Sequence, residues 1–154
     1  MSGKLAKEIR QSKPFSSPAE EAILNIHRTA SVLAQLFADT LKPFGLTEIQ
    51  YNVLRILRGA GKTGLACQEI AERMITRDPD VTRLLDRLES RELVERSRSE
   101  EDRRVVVTRI TADGLKILSL LDEAARHLPR QALGHLGEKK LNALIELLEE
   151  ARNA

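Results

Sequence analysis

Residues 75–111 change their hydrophobic period midway, and that switch restricts the possible folds more than any other feature of the chain. Val81, Leu84, Leu85 and Leu88 recur at helical spacing, so a helix starting at Asp78 is expected to bury one face. Asp78 suits the N-cap, Pro79 the first helical position and Asp80 the first turn. Beyond Leu93 and Val94 the period falls to two, with Val105 and Val107 alternating with Val106 and Thr108 as in a short strand. The polar segment SRSEEDRR between them has the length of a hairpin tip. A helix followed by a β-hairpin with a charged tip is the outline of a winged-helix DNA reader.

The kind of charge supports that outline, while its sum does not. No lysine occurs between Lys62 and Lys116, yet 10 of the chain's 17 arginines do. Arginine presents a planar fork that pairs bidentately with phosphate or guanine, which lysine does not. Over residues 76–109, however, 9 arginines face 9 acids. Two readings therefore stand: a DNA reader, or a solvated helix laced with short-range pairs such as Asp80 with Arg83, as in a helical interaction module without DNA binding.

Several other classes are disfavoured. Aromatics make up only 3 % of the chain and Trp is absent, which argues against stacking on single strands or RNA. The single cysteine, Cys67, excludes an intrachain disulfide framework. No apolar run is long enough for a membrane span, no apolar stretch follows the basic N-terminus, and a cytoplasmic protein is expected. Gly59 to Thr63 suggests a phosphate loop, but a Walker motif needs Gly where Ile56 stands and should follow a strand. His27, His127, His135 and Cys67 have no spacing suited to a metal site or a nucleophile-base pair, so neither catalysis nor a cofactor is expected.

In chain order, residues 1–16 read as a flexible basic arm carrying Lys4, Lys7, Arg10 and Lys13. A long first helix has Ser17 as N-cap and Pro18 at the first position and ends near Lys42-Pro43, before a turn at Phe44 to Leu46. Thr47 caps a second helix that ends at Gly59. Gly64 to Ala66 gives a minimal strand, and CQEIAERM a further helix, whose Ala66 cannot cap it and so leaves Glu69 without a side-chain partner for a capping box. Thr111 caps a helix running through Leu128 until Pro129 breaks it, and residues 138–152 make the last one. The fold class is mainly α with a small β-hairpin. Its parts are a winged helix-turn-helix over 46–111, an N-terminal dimerisation helix over 17–45 and C-terminal dimerisation helices over 112–154. The outer helices carry more Leu and Ile than so small a reader can cover, so a two-fold partner is expected.

The segment DVTRLLDRLESRELVERSRSEEDRRVVVTRITADG resembles the signature of the MarR family of bacterial transcription regulators. In that family a recognition helix of the form tVTRLvdrLe precedes GLV-R, a wing with D-R-R or D-x-R, and a strand leading into LT-x-x-G. The matching positions are Val81 to Leu84, Leu93-Val94, Arg96, Asp102-Arg103-Arg104, and Ile110-Thr111 with Gly114. Two departures stand out: Glu92 occupies the place of the family's usual Gly, and Asp78 and Asp80 make the front of the helix acidic.

The resemblance implies a homodimeric regulator, a repressor by expectation, reading a pseudo-palindrome in double-stranded DNA with two recognition helices one turn apart. Arg83 is the expected guanine reader. Thr82 reaches a phosphate or a thymine methyl, Asp80 caps the helix or accepts from cytosine, and Arg77 and Arg87 face phosphates or pair within the helix. At the wing, Asp102 is expected to pin the turn by pairing with a neighbouring arginine. Arg104 is the residue that enters the minor groove by analogy, with Arg103 as a second candidate. The resemblance also implies a pocket for small phenolic or apolar acids, for which His27, Arg28 and Tyr51 are candidates. Cys67 offers an alternative, redox response, although oxidant-sensing relatives carry the reactive cysteine in the first helix.

Overall fold

The computed structural model describes residues 3–77 and 80–153. They form two compact units, Met1–Phe37 and Ala38–Ala154.

In the first unit, the segment 1–16 expected as a flexible arm contains one short helix, α1 (Lys4–Glu8). The turn is held by its single buried side chain, Leu5, which is 3 % exposed. α2 (Pro18–Leu41) starts as its residues dictate. The Ser17 hydroxyl accepts from the N–H of Glu20 at 3.2 Å, and the Glu20 carboxylate accepts in return from the N–H and hydroxyl of Ser16.

In the second unit, α2 ends in a 3-10 turn, Lys42–Phe44, closed by Gly45 at a left-handed φ of 64°. α3 (Glu48–Ala60) opens with a complete capping box between Thr47 and Gln50 and runs one residue past the expected stop at Gly59. It supplies the centre of the core: Val53, Leu54 and Leu57 are wholly buried. β1 (Leu65–Ala66) leads into α4 (Cys67–Arg73). There the Glu69 carboxylate accepts from the N–H of Ala66 at 2.8 Å. Half of a capping box therefore forms: alanine has no side-chain acceptor to offer, as expected, but its backbone donor is served by Glu69.

α5 (Val81–Ser90) begins later than expected, because Asp80 itself is the N-cap, its carboxylate accepting from the N–H of Arg83 at 3.0 Å. Asp78 and Pro79, expected to start this helix, lie outside the described residues. β2 (Val94–Arg98) and β3 (Val106–Ile110) form the hairpin, and β1 joins it on the far side of β3, giving an antiparallel sheet of order β1-β3-β2. Val105, expected in the strand, belongs to the tip, where its N–H is taken by the carbonyl of Asp102. Leu118 and Leu121 of α6 (Ala112–Ala125) complete the core.

The end of α5 is a Schellman turn: the N–H of Glu92 reaches the Glu89 carbonyl and that of Leu93 reaches Leu88. Such a turn needs a left-handed residue at its apex, and Glu92 adopts φ 58° there. The start of α6 is fastened to the same place. Thr111 donates its hydroxyl to the Glu92 carbonyl and its N–H to that of Leu93, while accepting from the N–H of Gly114. A β-carbon at Gly114 would lie 2.3 Å from the Leu93 oxygen, so the close approach requires glycine.

Pro129 does not end a long helix as expected. α6 stops at Ala125, and Pro129 sits in the first turn of α7 (Leu128–Leu133), where its missing N–H costs nothing. α8 (Glu138–Arg152) has the expected bounds yet buries no residue fully. Among the described residues no helix is long and apolar enough to cross a membrane.

Candidate nucleic-acid interface

α5 divides cleanly. Val81, Leu84, Leu85 and Leu88 face the core, leaving Thr82, Arg83 and Arg87 exposed together on the opposite side. Arg77, also exposed, precedes them in the turn after α4. The Thr82 hydroxyl lies 3.9 Å from the sulfur of Cys67, so Cys67 sits where α4 meets the exposed face. The Asp80 carboxylate caps through one oxygen and holds its other oxygen 3.9 Å from Arg83 Nε.

The hairpin tip is built almost entirely from local hydrogen bonds. The Ser99 hydroxyl accepts from the N–H groups of Glu101 and Asp102, and the Ser99 N–H donates to the Val105 carbonyl. Asp102 does pin the turn, but by accepting from the backbone N–H of Arg104 at 2.9 Å rather than by pairing with an arginine side chain. An aspartate two residues back reaches that donor without ordering a long flexible partner. Arg98 adds a second brace by donating to the Arg103 carbonyl at 2.7 Å. The arginines used in the tip are thus held at the backbone, and the exposed side chains of Arg103 and Arg104 enter no ion pair among the described residues.

The neutral charge sum loses its force once the pairs are located. Arg96 on β2 binds Glu89 through Nε at 2.9 Å and through its backbone N–H at 3.1 Å, and its Nη2 reaches both Glu89 and Asp86. Two of the acids on α5 are therefore consumed by one arginine on the wing. Hydrogen bonding to Arg96, with the attraction of its charge, holds the Glu89 carboxyl below its ordinary range against the cost of desolvation. The same contact joins α5 to the hairpin. Sequence reasoning missed it, although Asp86 and Glu89 stand three apart on one helical face and so could share a partner. Arg91 was missed as well: it leaves the end of α5 to donate to the carbonyls of Gly45, at 2.6 Å, and Phe44.

A separate open cleft of roughly 400 Å³ lies between α3 and the α6–α7 region, lined by Tyr51, Arg55, Asp122, Ala125, Arg126 and Pro129. Asp122 is engaged bidentately by Arg58 at 2.7 and 3.2 Å. Those hydrogen bonds, with further attraction from Arg58, Arg55 and Arg126, keep its carboxyl below the ordinary range. Arg55 stacks over the Tyr51 ring, 5.7 Å from its centre. Of the three ligand candidates Tyr51 lines this cleft, whereas His27 and Arg28 occupy exposed positions on α2.

The MarR family model matches residues 46–106. A MarR transcription factor from Planctomyces limnophilus is 41 % identical, with 88 % of this chain and 98 % of that one covered at a TM-score of 0.67. An uncharacterised HTH-type transcriptional regulator of Bacillus subtilis, YfiV, is 38 % identical over 97 residues, which cover 63 % of this chain and 59 % of that relative. In fold alone, the chain is also similar to a mutant MarR from E. coli solved with operator DNA, at 24 % identity and a TM-score of 0.77, covering 97 % and 99 % of the two chains.

Proposed function

Because the chain belongs to the MarR family of transcription regulators, we propose that it acts in the cytoplasm as a homodimeric repressor of pseudo-palindromic sites in double-stranded DNA. The observation that carries this reading is the exposed row of Thr82, Arg83 and Arg87 on a helix braced through Arg96 to a hairpin whose Arg103 and Arg104 side chains enter no ion pair among the described residues. A solvated hairpin with balanced charges would pair Arg103 and Arg104 with the acids beside them, as Asp80 pairs with Arg83. Arg83 reads guanine in the major groove, Thr82 meets a phosphate or a thymine methyl, and Arg77 and Arg87 bind phosphates. Arg104, with Arg103 as second candidate, enters the minor groove, where narrow A·T tracts concentrate negative potential. Asp80 belongs to the helix cap rather than to direct reading of cytosine.

Dimerisation is supported by apolar side chains left uncovered on the outer helices: Ile23, Ile26 and Val32 on α2, Leu115 and Leu120 on α6, Ile145 and Leu147 on α8. An α8 of 15 residues that buries none of them fully needs a second copy to be worth forming. The cleft beside Tyr51 suits a small aromatic acid, since Arg55 and Arg126 outnumber the one acid, Asp122, and that acid is already bound by Arg58.

The test is selection and sequencing of random duplexes by the purified protein, followed by gel shifts at rising salt and with salicylate or benzoate added. The reading expects a two-fold site, a loss of affinity of about 10³-fold or more between 50 and 200 mM salt, and weakening by the aromatic acid. A monomer with no preferred duplex at low salt would overturn it.

A further inference from the structure

We propose that Asp80 is a positioning residue for Arg83, aiming its guanidinium at a base edge and keeping it off the phosphates. This rests on the reading of Arg83 as the major-groove reader and adds the device that makes it selective.

One carboxylate does two things at the front of α5. Its Oδ1 accepts from the N–H of Arg83 at 3.0 Å, which fixes the orientation of the carboxylate as a helix cap. Its Oδ2 then stands 3.9 Å from Nε of the same residue's side chain. A long exposed arginine thereby has beside its Nε a carboxylate whose other oxygen is already engaged by the backbone. The approach is along the Nε edge, which leaves the pair of terminal nitrogens for the O6 and N7 acceptors of guanine.

The negative charge acts a second time by its position. The first turn of a helix ordinarily attracts phosphate through its unsatisfied N–H groups and its dipole. Here Asp80 occupies that place, so a phosphate drawn toward Arg83 must come close to a carboxylate, whereas the acceptor edge of guanine carries no net charge. Asp80 therefore lowers affinity for DNA in general while raising discrimination.

That combination separates it from a merely structural cap. Asp80→Asn keeps the cap, since asparagine serves as well as aspartate there, but removes the charge. Asp80→Ser is a second neutral cap in case the first variant folds poorly. Each would be combined with Arg83→Ala, and binding measured to the selected site, to single-base-pair variants of it and to random duplex. Asp80→Asn should unfold within a few degrees of wild type, bind random duplex about threefold to tenfold more tightly, and lose a similar factor of discrimination at one base pair. In the Arg83→Ala background that loss of discrimination should vanish. Equal weakening on every duplex would reduce Asp80 to a cap, and an unchanged loss without Arg83 would make Asp80 a base reader itself. Either result overturns the proposal. A wild type with no preferred duplex refutes instead the DNA-reading assignment on which it stands.

Discussion

Replacing Glu92 with glycine should stabilise the protein, and the size of the gain follows from one dihedral angle. Glu92 sits at φ 58° at the apex of the turn that ends α5. For a residue with a β-carbon that region costs roughly 1–2 kcal/mol, because the β-carbon crowds the following carbonyl. Glycine removes the crowding but gives back roughly 0.5–1 kcal/mol through its greater freedom in the unfolded chain. The exposed Glu92 carboxylate takes part in no side-chain bond among the described residues, and the bonds at this turn use its backbone N–H and carbonyl, which glycine retains. The net gain is about 0.5–1 kcal/mol, or a rise in Tm of about 1–4 °C for a chain of 154 residues. Thermal unfolding followed by circular dichroism would measure it, at fixed protein concentration because the proposed dimer would make Tm depend on concentration. Glu92→Ala is the control, since it removes the carboxylate and keeps the β-carbon; it should stay within about 0.5 kcal/mol of wild type. If alanine and glycine shift Tm equally, the strain argument is wrong and the effect belongs to the charge.

Gly114→Ala should act in the opposite sense, costing about 1–3 kcal/mol in urea unfolding, because its β-carbon would fall 2.3 Å from the Leu93 oxygen and 2.6 Å from Ile110 Cγ1. A neutral result would mean that the α6 start can shift freely. Acid should loosen the joint between α5 and the wing. The Glu89 carboxyl is held low in the folded state, so its contribution is complete above the ordinary carboxylate range, about pH 4.3, and is lost as pH falls through the lowered value. Urea midpoints between pH 3 and 7 should therefore fall less steeply at the acid end for Glu89→Gln than for wild type, and parallel curves would deny the group that role. Arg104→Ala should weaken binding chiefly to sites with A·T-rich flanks, measured by gel shift on flank variants; equal loss on all flanks would count against minor-groove insertion.

The helices and the hairpin were legible because each announces itself locally: four apolar residues at helical spacing in α5, the Thr47 and Thr111 caps, the alternating valines of β3. The misplacements have equally local causes. Two aspartates and a proline before Val81 offered competing starts, and Asp80 caps in preference to setting the first turn. Pro129 reads as a breaker from within a long pattern and as an initiator once a new helix begins at Leu128. The candidate interface was legible as residue types but not as pairings. Nothing in the order of residues says that Arg96 takes Asp86 and Glu89 together, that Arg98 and Asp102 brace the backbone of Arg103 and Arg104, or that Arg58 reaches Asp122 across 64 positions. Those choices are made by the antiparallel register of β2 with β3 and by the packing of α3 on α6.

Arg91 is bound at the far end of α5 to the carbonyls of Phe44 and Gly45, just past the point where α2 stops. The end of α5 and the turn that follows α2 are thus tied through one side chain. Whatever sets the path of the chain at Phe44 and Gly45 therefore also sets where the last turn of the helix bearing Thr82, Arg83 and Arg87 is anchored.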